Sequence, residues 1–389
     1  VKNNKLLGLH IVTDFPGPYA PPWTTLAIHD CITAVSDVIN SVVLVPRRTR
    51  SPSRTQIIAK QNELHIQLFD PVATMLPDFW QRLDWINLVK ANLLGQVKPN
   101  FVHSHKLSYE ARIGDLLASY FNVPHIITIR GSSDTHHRHH WPWTRMLYRN
   151  ILTRSRLNLW LSVWARSIIT NKTGYHPTAK DIEFPNAVPL GALYAQQVES
   201  NPKRNSLVCI CRLDLYKQKG IVALLRGLAS ACSKITDLTL DLIGPCGEQA
   251  QKILQDSINN LGLSKNVRLL GPMARHEVIG KLGNYAAMIM LSRNETFELV
   301  YAEALLSGVP IVYLRGSGVD GYEFAKEYGI ACKDLSTTSI YAALIEMSLR
   351  QPDLHNQISA ALSSGKLDFL TSPGQAKLYS KIISQAVGH

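Results

Sequence analysis

The chain has 389 residues, 46% hydrophobic and 18% charged, which excludes disorder and predicts two domains of roughly 150 to 200 residues. Its formal net charge of +12 points to an acidic partner, with nucleoside diphosphates, an anionic membrane surface and nucleic acid all qualifying. The six cysteines form no Cys-x-x-Cys pair and read as reduced thiols, and no run approaches a membrane span or a signal peptide, so a cytoplasmic, soluble or peripheral protein is expected.

In chain order, short β-branched runs fall at residues 6–13, 41–45, 64–69, 101–104, 125–129 and 167–170. The second half repeats the pattern at 207–211, 238–243, 267–270, 287–291 and 310–313. Helical patterns lie between them, for example at 221–233 and 248–261, and strands separated by helices predict parallel sheets with crossover connections. The polar stretch 187–205, with Pro189 and Pro202, reads as a linker between domains at 1–186 and 206–372. Residues 375–387 read as a helix packing back on the first domain. The expected architecture is α/β, two Rossmann-like domains facing across a cleft, with ligands at loops that leave the carboxyl ends of strands.

The first such loop holds Gly17 among Pro16, Pro18, Pro21 and Pro22, which offer no amide hydrogen. His103 and His105 follow another strand, and Arg130, Gly131 and Asp134 follow the next. Four histidines crowd 135–143 without helical ligand spacing or an acidic partner, so no metal is assigned to them. That stretch reads as an acceptor-facing loop or a solvated surface. From 143 to 166, Arg145, Arg149, Arg154 and Arg156 alternate with Trp143, Leu147, Ile151, Leu152 and Trp160. This suits an anionic bilayer surface, or equally a helix with one buried face.

Two constellations in the second half carry chemistry. Arg212, Lys217 and Lys219 lie between a strand and a helix, where cations neutralise a diphosphate. Glu295 and Glu303 follow Ser292 and run into a helix that stops at Gly308. On one helix they would stand about two turns apart. With Glu295 on the preceding loop they grip different parts of one ligand, and amides at the helix N-terminus face a phosphate. No Asp-x-Asp occurs, so a metal-bridged diphosphate has no support in the sequence.

The run from Ser292 through Glu295, Phe297, Glu298, Leu299, Val300, Glu303 and Ala304 to Gly308 and Pro310 resembles the signature of the retaining glycosyltransferases of family four, which have the GT-B fold. The resemblance implies that Glu295 contacts the donor sugar and Glu303 the ribose, with Phe297, Leu299 and Val300 against the donor. Glu298 stands where the family has glycine. Arg212 and Lys217 match the pair that stabilises the departing diphosphate, with Lys219 the substitute for Lys217, and Gly271 matches a strand end that lines the base pocket. In the looser N-terminal match, His103, His105 and Asp134 fall on the acceptor side. Arg130 replaces a histidine that touches the donor sugar, and Gly17 partly stands in for a glycine pair. The implied activity is retaining transfer from a UDP- or GDP-sugar to a hydroxyl of a glycan or lipid-linked acceptor, as in polysaccharide synthesis. It implies no metal or other cofactor and no nucleic acid, at the inner face of the membrane. A non-catalytic nucleotide-sugar-binding protein and a sugar-nucleotide epimerase of the same fold are the alternatives.

Overall fold

A computed structural model describes residues 5–18, 20, 24, 26–49, 56–60, 62–69, 85–95, 98–131, 133–135, 142–189 and 203–388. Most of the linker, the core of the histidine-rich stretch (136–141) and some of the proline-rich first loop lie outside the described residues. The chain divides into two compact units. One comprises Val1–Leu161, Arg166–Phe184 and Ser372–His389, and the other Ser162–Ala165 and Pro185–Thr371.

The first unit is built on an eight-stranded sheet of order β3-β4-β2-β1-β5-β6-β7-β8. Its strands are β1 (Leu6–Ile11), β2 (Ile39–Thr49), β3 (Gln56–Lys60), β4 (Glu63–Phe69), β5 (Phe101–Ser104), β6 (His125–Ile129), β7 (Leu157–Trp160) and β8 (Asp181–Glu183). All neighbours run parallel except β3 and β4. Helices α1 (Ala27–Ala34), α2 (Trp85–Val89), α3 (Tyr109–Phe121), α4 (Pro142–Arg154) and α5 (Ala165–Thr173) fall between strands. Leu9, Ile11, Leu44 and Leu64 pack under Leu117 of α3, and on another cluster Phe101, Ile126 and Leu159 pack with Tyr379, Ile382 and Ile383 near the chain's end. Parallel strands are covered on both faces, which is why they read as near-continuous apolar runs.

The second unit carries a six-stranded, all-parallel sheet of order β11-β10-β9-β12-β13-β14. The strands are β9 (Lys203–Ile210), β10 (Thr239–Ile243), β11 (Val267–Gly271), β12 (Tyr285–Met290), β13 (Ile311–Leu314) and β14 (Gly329–Cys332). Between and after them come α6 (Ile221–Cys232), α7 (Glu248–Asn260), α8 (Arg275–Leu282), α9 (Leu299–Leu306), α10 (Glu323–Glu327) and α11 (Thr337–Ser363). The last helix, α12 (Ser372–Val387), belongs to the first unit. Leu207, Leu240, Ala287 and Val312 from the sheet meet Leu224, Leu228, Leu344 and Met347 from α6 and α11 in one core.

Two sequence expectations need correction. The run at 167–170 is helical, inside α5, with Ile169 turned into the core. Four β-branched and polar residues carry no period that separates a strand from a helix turn. The basic stretch from 143 to 166 is not one segment. It is α4, then β7, then the start of α5, because Leu157, Asn158, Leu159 and Trp160 pair with β6 and β8. Asn158 is fully buried and donates to the Tyr175 hydroxyl at 2.9 Å, so a polar residue broke an otherwise apolar signal. Strands β3, β8 and β14 were also not read: all three are sheet edges, and β3 and β8 bury no residue, so the apolar run that marks an interior strand is missing. No helix among the described residues is long and apolar enough to cross a membrane.

In each sheet the chain begins in an interior strand, winds to one side, then returns to the other. The loops after β1 and β5, and those after β9 and β12, therefore leave their sheets in opposite directions. These are the switch points at which open α/β sheets form a crevice.

Candidate functional site

At the switch point of the second unit, β9 ends in residues 211–220 and β12 in residues 291–298. The two loops are tied together by Arg293, whose backbone N–H donates to the Gln218 carbonyl at 2.9 Å. Gly220, at φ +67°, turns the first loop into α6, where a Cβ would collide with the Leu291 carbonyl. Lys219 is thereby carried over the end of β12. Its ammonium donates to Glu295 Oε1 at 2.8 Å and to Glu298 Oε1. Gln218 Nε2 donates to the same Glu295 oxygen at 3.0 Å, and Ser292 Oγ donates to Glu298 Oε1 at 3.2 Å.

Glu295 sits on the loop, and Glu303 on α9. The backbone of Glu295 is held from three sides. Its N–H donates to Ser317 Oγ at 2.9 Å, and its carbonyl accepts from Trp164 Nε1 at 2.9 Å and Gly318 N at 3.1 Å. Glu303 is buried, and its Oε1 accepts from Arg275 of α8 at 2.7 Å. Arg275 is thus a residue of this site that the sequence did not single out.

Glu298 caps α9 at φ +63°, the left-handed region, where a side chain adds strain of about 1 kcal/mol. Burial pushes its carboxyl up to about 7, Lys219 opposes that and Glu295 adds to it. Burial also works against the charge of Lys219, but Glu298 and Glu295 together outweigh it and hold the ammonium above its usual range. Acid and base both move up, the acid chiefly through burial and the base through its two carboxylates. The second oxygen of Glu298, Oε2, is buried and has no hydrogen-bond partner among the described residues.

Arg212 and Lys217 are exposed on the same loop, with the Lys217 ammonium 5.9 Å from the Tyr216 ring. Lys219, not Lys217, is the cation brought to the glutamates. Leu299 and Val300 form the half-buried first turn of α9. The Phe297 ring is fully buried, edge-on to Tyr322 at 5.7 Å, so only its backbone is open to a ligand. Gly271 ends β11 at φ +71° with open space where a side chain would stand.

The first unit's switch point gathers a buried polar group. Glu110, in the first turn of α3, accepts from Thr13 N at 2.7 Å and Thr13 Oγ1 at 2.5 Å. Lys106 pairs with Asp14 at 2.6 Å. Arg130 donates through Nε to the His105 carbonyl at 3.1 Å, and its backbone N–H to Asp134 at 2.8 Å. His103, His105 and Asp134, expected on the acceptor side, stand at this switch point. All three are at most 2% exposed, and Asp134 fastens the backbone of Arg130 and Ser108. Both His103 nitrogens are engaged, by the Tyr379 hydroxyl at 2.7 Å and by Thr128 at 2.8 Å. His10 Nδ1 meets His105 Nε2 at 3.1 Å. One ring nitrogen from each of His10, His103 and His105 lies within 4.8 Å of the others, a spacing that suits a metal ion, but both His103 nitrogens are already taken by Tyr379 and Thr128. Burial holds His10, His103 and His105 below the usual histidine range. Gly17, at φ +147°, lies against the His65 ring, which a Cβ would enter. His10 and Glu110 were missed because a lone histidine in a strand and a glutamate at a helix start are unremarkable in sequence.

Solved structures of the same architecture cover nearly the whole chain. A glycosyltransferase from Rickettsia africae aligns over 99% of this chain and 99% of its own, with TM-score 0.68 and 13% identity. Anabaena HepE in complex with UDP aligns over 98% and 100%, with TM-score 0.65 and 14% identity. Sucrose-phosphate synthase from Thermosynechococcus elongatus aligns over 98% and 99%, with TM-score 0.65 and 14% identity. The chain has the GT-B fold. Residues 193–363 of this GT-B chain match the family of glycosyl transferases group 1. Among curated proteins, D-inositol 3-phosphate glycosyltransferase of Corynebacterium urealyticum is 31% identical over 110 residues, 27% of this chain and 26% of its own. The UDP-N-acetylglucosamine–peptide N-acetylglucosaminyltransferase GtfA subunit of Limosilactobacillus reuteri is 28% identical over 128 residues, 33% of this chain and 24% of its own. The chain thus spans about a quarter of the length of the curated relatives it matches. The solved structures show the fold, and the family match falls within the second unit's residues and the linker before it.

Proposed function

We propose that the chain is a retaining glycosyltransferase that moves a sugar from a nucleoside-diphosphate donor to a hydroxyl of a glycan or lipid-linked acceptor, without a metal. The observation that carries this reading is Lys219 joined to Glu295 and Glu298 at the β9–β12 switch point, beside Arg212 and Lys217. Cations and helix N-termini at that place stabilise charge as it develops on a departing diphosphate, which is electrostatic preorganisation. Glu295, held by its backbone, positions the sugar, and Glu303, anchored by Arg275, faces the ribose. The leaving phosphate oxygen takes the proton of the attacking hydroxyl on the same face of the sugar, which retains the anomeric configuration. UDP is the favoured nucleotide, since UDP occurs in the names of both a curated relative and a solved neighbour. Exposed Arg145, Met146 and Arg149 of α4 suit an acceptor at the inner face of a membrane, while Tyr148, Ile151 and Leu152 of that helix are buried in the core.

Nucleotide release from a panel of UDP- and GDP-sugars, with lipid-linked and free glycan acceptors and with or without EDTA, tests this. The expected result is acceptor-dependent, EDTA-insensitive release with one donor, and a product of unchanged anomeric configuration by NMR. An inverted product, or release that EDTA stops, contradicts the mechanism. A second reading, a non-catalytic nucleotide-sugar-binding protein, is favoured by one observation: the carboxylate of Glu298 occupies Lys219. It predicts that UDP-sugar binds and is never consumed.

A further inference from the structure

Glu298 is a glutamate at a backbone angle that side chains rarely adopt, with nine-tenths of its side chain buried. One of its oxygens takes Lys219 and Ser292, and the other has no partner among the described residues. The Lys219 ammonium has three N–H groups, and two are given to Glu298 and Glu295. One cation against two carboxylates leaves this place negative, and an incoming diphosphate adds like charge a short distance away. Like charges in a partly buried site drive one of the groups to its neutral form.

We propose that nucleotide binding at this site is coupled to protonation of Glu298: the carboxylate takes up a proton from solvent on its unpartnered Oε2 and yields Lys219 to the donor's diphosphate. The inference rests on the reading of this place as a donor site. Protonated, Glu298 turns from a competitor for the ammonium into a hydrogen-bond donor at the start of α9, where the helix N–H groups also favour an anion. Glu295 is the less suited of the two carboxylates, since its side chain is 19% exposed against 10% for Glu298. The other titratable groups facing Glu298 are Cys209 of β9 and Tyr301 of α9. Both are raised, Cys209 first by its hydrogen bond with Cys211 and then by burial, Tyr301 by burial. They are therefore neutral near pH 7, and Tyr301 donates its hydroxyl to the Met290 carbonyl at 2.7 Å.

The sign follows from the burial that pushes the Glu298 carboxyl up to about 7. Below that pH the group is already protonated and binding takes up no proton. Above it the proton must be drawn from solvent, so affinity falls by about tenfold per pH unit. Calorimetric titration of the full chain with UDP at about pH 6 and about pH 8, in two buffers of different ionisation heat, reads this directly. The terminal phosphate of UDP has its own ionisation near pH 6, identical in every protein compared. The difference between wild type and Glu298→Gln therefore belongs to Glu298. Expected are uptake of close to one proton per UDP by the wild type at the higher pH and none attributable to the protein in Glu298→Gln. The variant should bind at pH 8 about tenfold tighter than the wild type. Glu298→Gly, which φ +63° suits, should behave like Glu298→Gln and guards against a variant that misfolds. Identical pH profiles in all three proteins, or weaker binding by both variants at both pH values, would overturn the coupling while leaving the donor site standing. Failure of all three to bind UDP would overturn the donor-site reading and the coupling with it.

Discussion

Replacing Lys219 by alanine is expected to lower turnover of the donor by about 10²- to 10³-fold, the size of effect that follows loss of one preorganised group at a developing charge. Arg212 and Lys217 stay on the same loop in that variant, but both are exposed, and charge contacts in water are weak. Lys219 is different because it is drawn down onto Glu295 and Glu298, with its side chain 12% exposed. Its loss also leaves Glu298 and Glu295 side by side without their shared cation. The variant should therefore lose stability, and lose more as pH rises through about 7, where Glu298 ionises. Steady-state kinetics of Lys217→Ala and Lys219→Ala, with urea unfolding at pH 6 and 8, separates the two lysines. A larger kinetic loss for Lys217→Ala would reverse the assignment.

The second large effect is on the frame. Gly244 follows β10 at φ +145°, and a Cβ there would overlap the backbone carbonyl of Cys211, the residue after β9. Backbone cannot step aside as a flexible side chain does. The clash must push apart neighbouring strands held by Cys211 N donating to the Ile243 carbonyl at 3.0 Å and Leu213 N to the Pro245 carbonyl at 2.9 Å. Gly244→Ala is expected to cost about 3 kcal/mol or more, adding overlap to an unfavourable φ. The displaced segment carries Arg212, so UDP binding should weaken in whatever fraction stays folded. Urea unfolding followed by UDP titration checks both. A loss under about 1 kcal/mol would mean the β9 and β10 ends are looser than they stand here.

The sequence was most readable where chemistry and period coincide. Strands β9 to β13 showed as apolar runs because a parallel sheet buries both faces, and the glutamates and lysines stood out because they interrupt those runs at strand ends. The choice between Lys217 and Lys219 was not readable. It depends on Gly220 taking φ +67° and turning Lys219, two residues further along, over the end of β12. Phe297 was read as a ligand contact from its place in a motif, yet its ring completes an aromatic cluster with Tyr322 and Phe324 that only the tertiary fold assembles. The setting of His103 was equally unreadable. Its partners Thr128 and Tyr379 lie 25 and 276 residues away. Arg275 was invisible for a similar reason, since nothing local marks an arginine at a helix start as the partner of Glu303.

The central claim is that the β9–β12 switch point binds a nucleoside diphosphate without a metal. Thermal unfolding of the full chain with UDP, GDP or ADP, with and without EDTA, tests it most directly. A ligand at about 100 times its dissociation constant stabilises by about 2.7 kcal/mol. The account predicts such a shift with UDP, unchanged by EDTA and absent in Lys219→Ala. No shift with any of the three nucleotides, or a UDP shift that survives in Lys219→Ala or vanishes with EDTA, would contradict it.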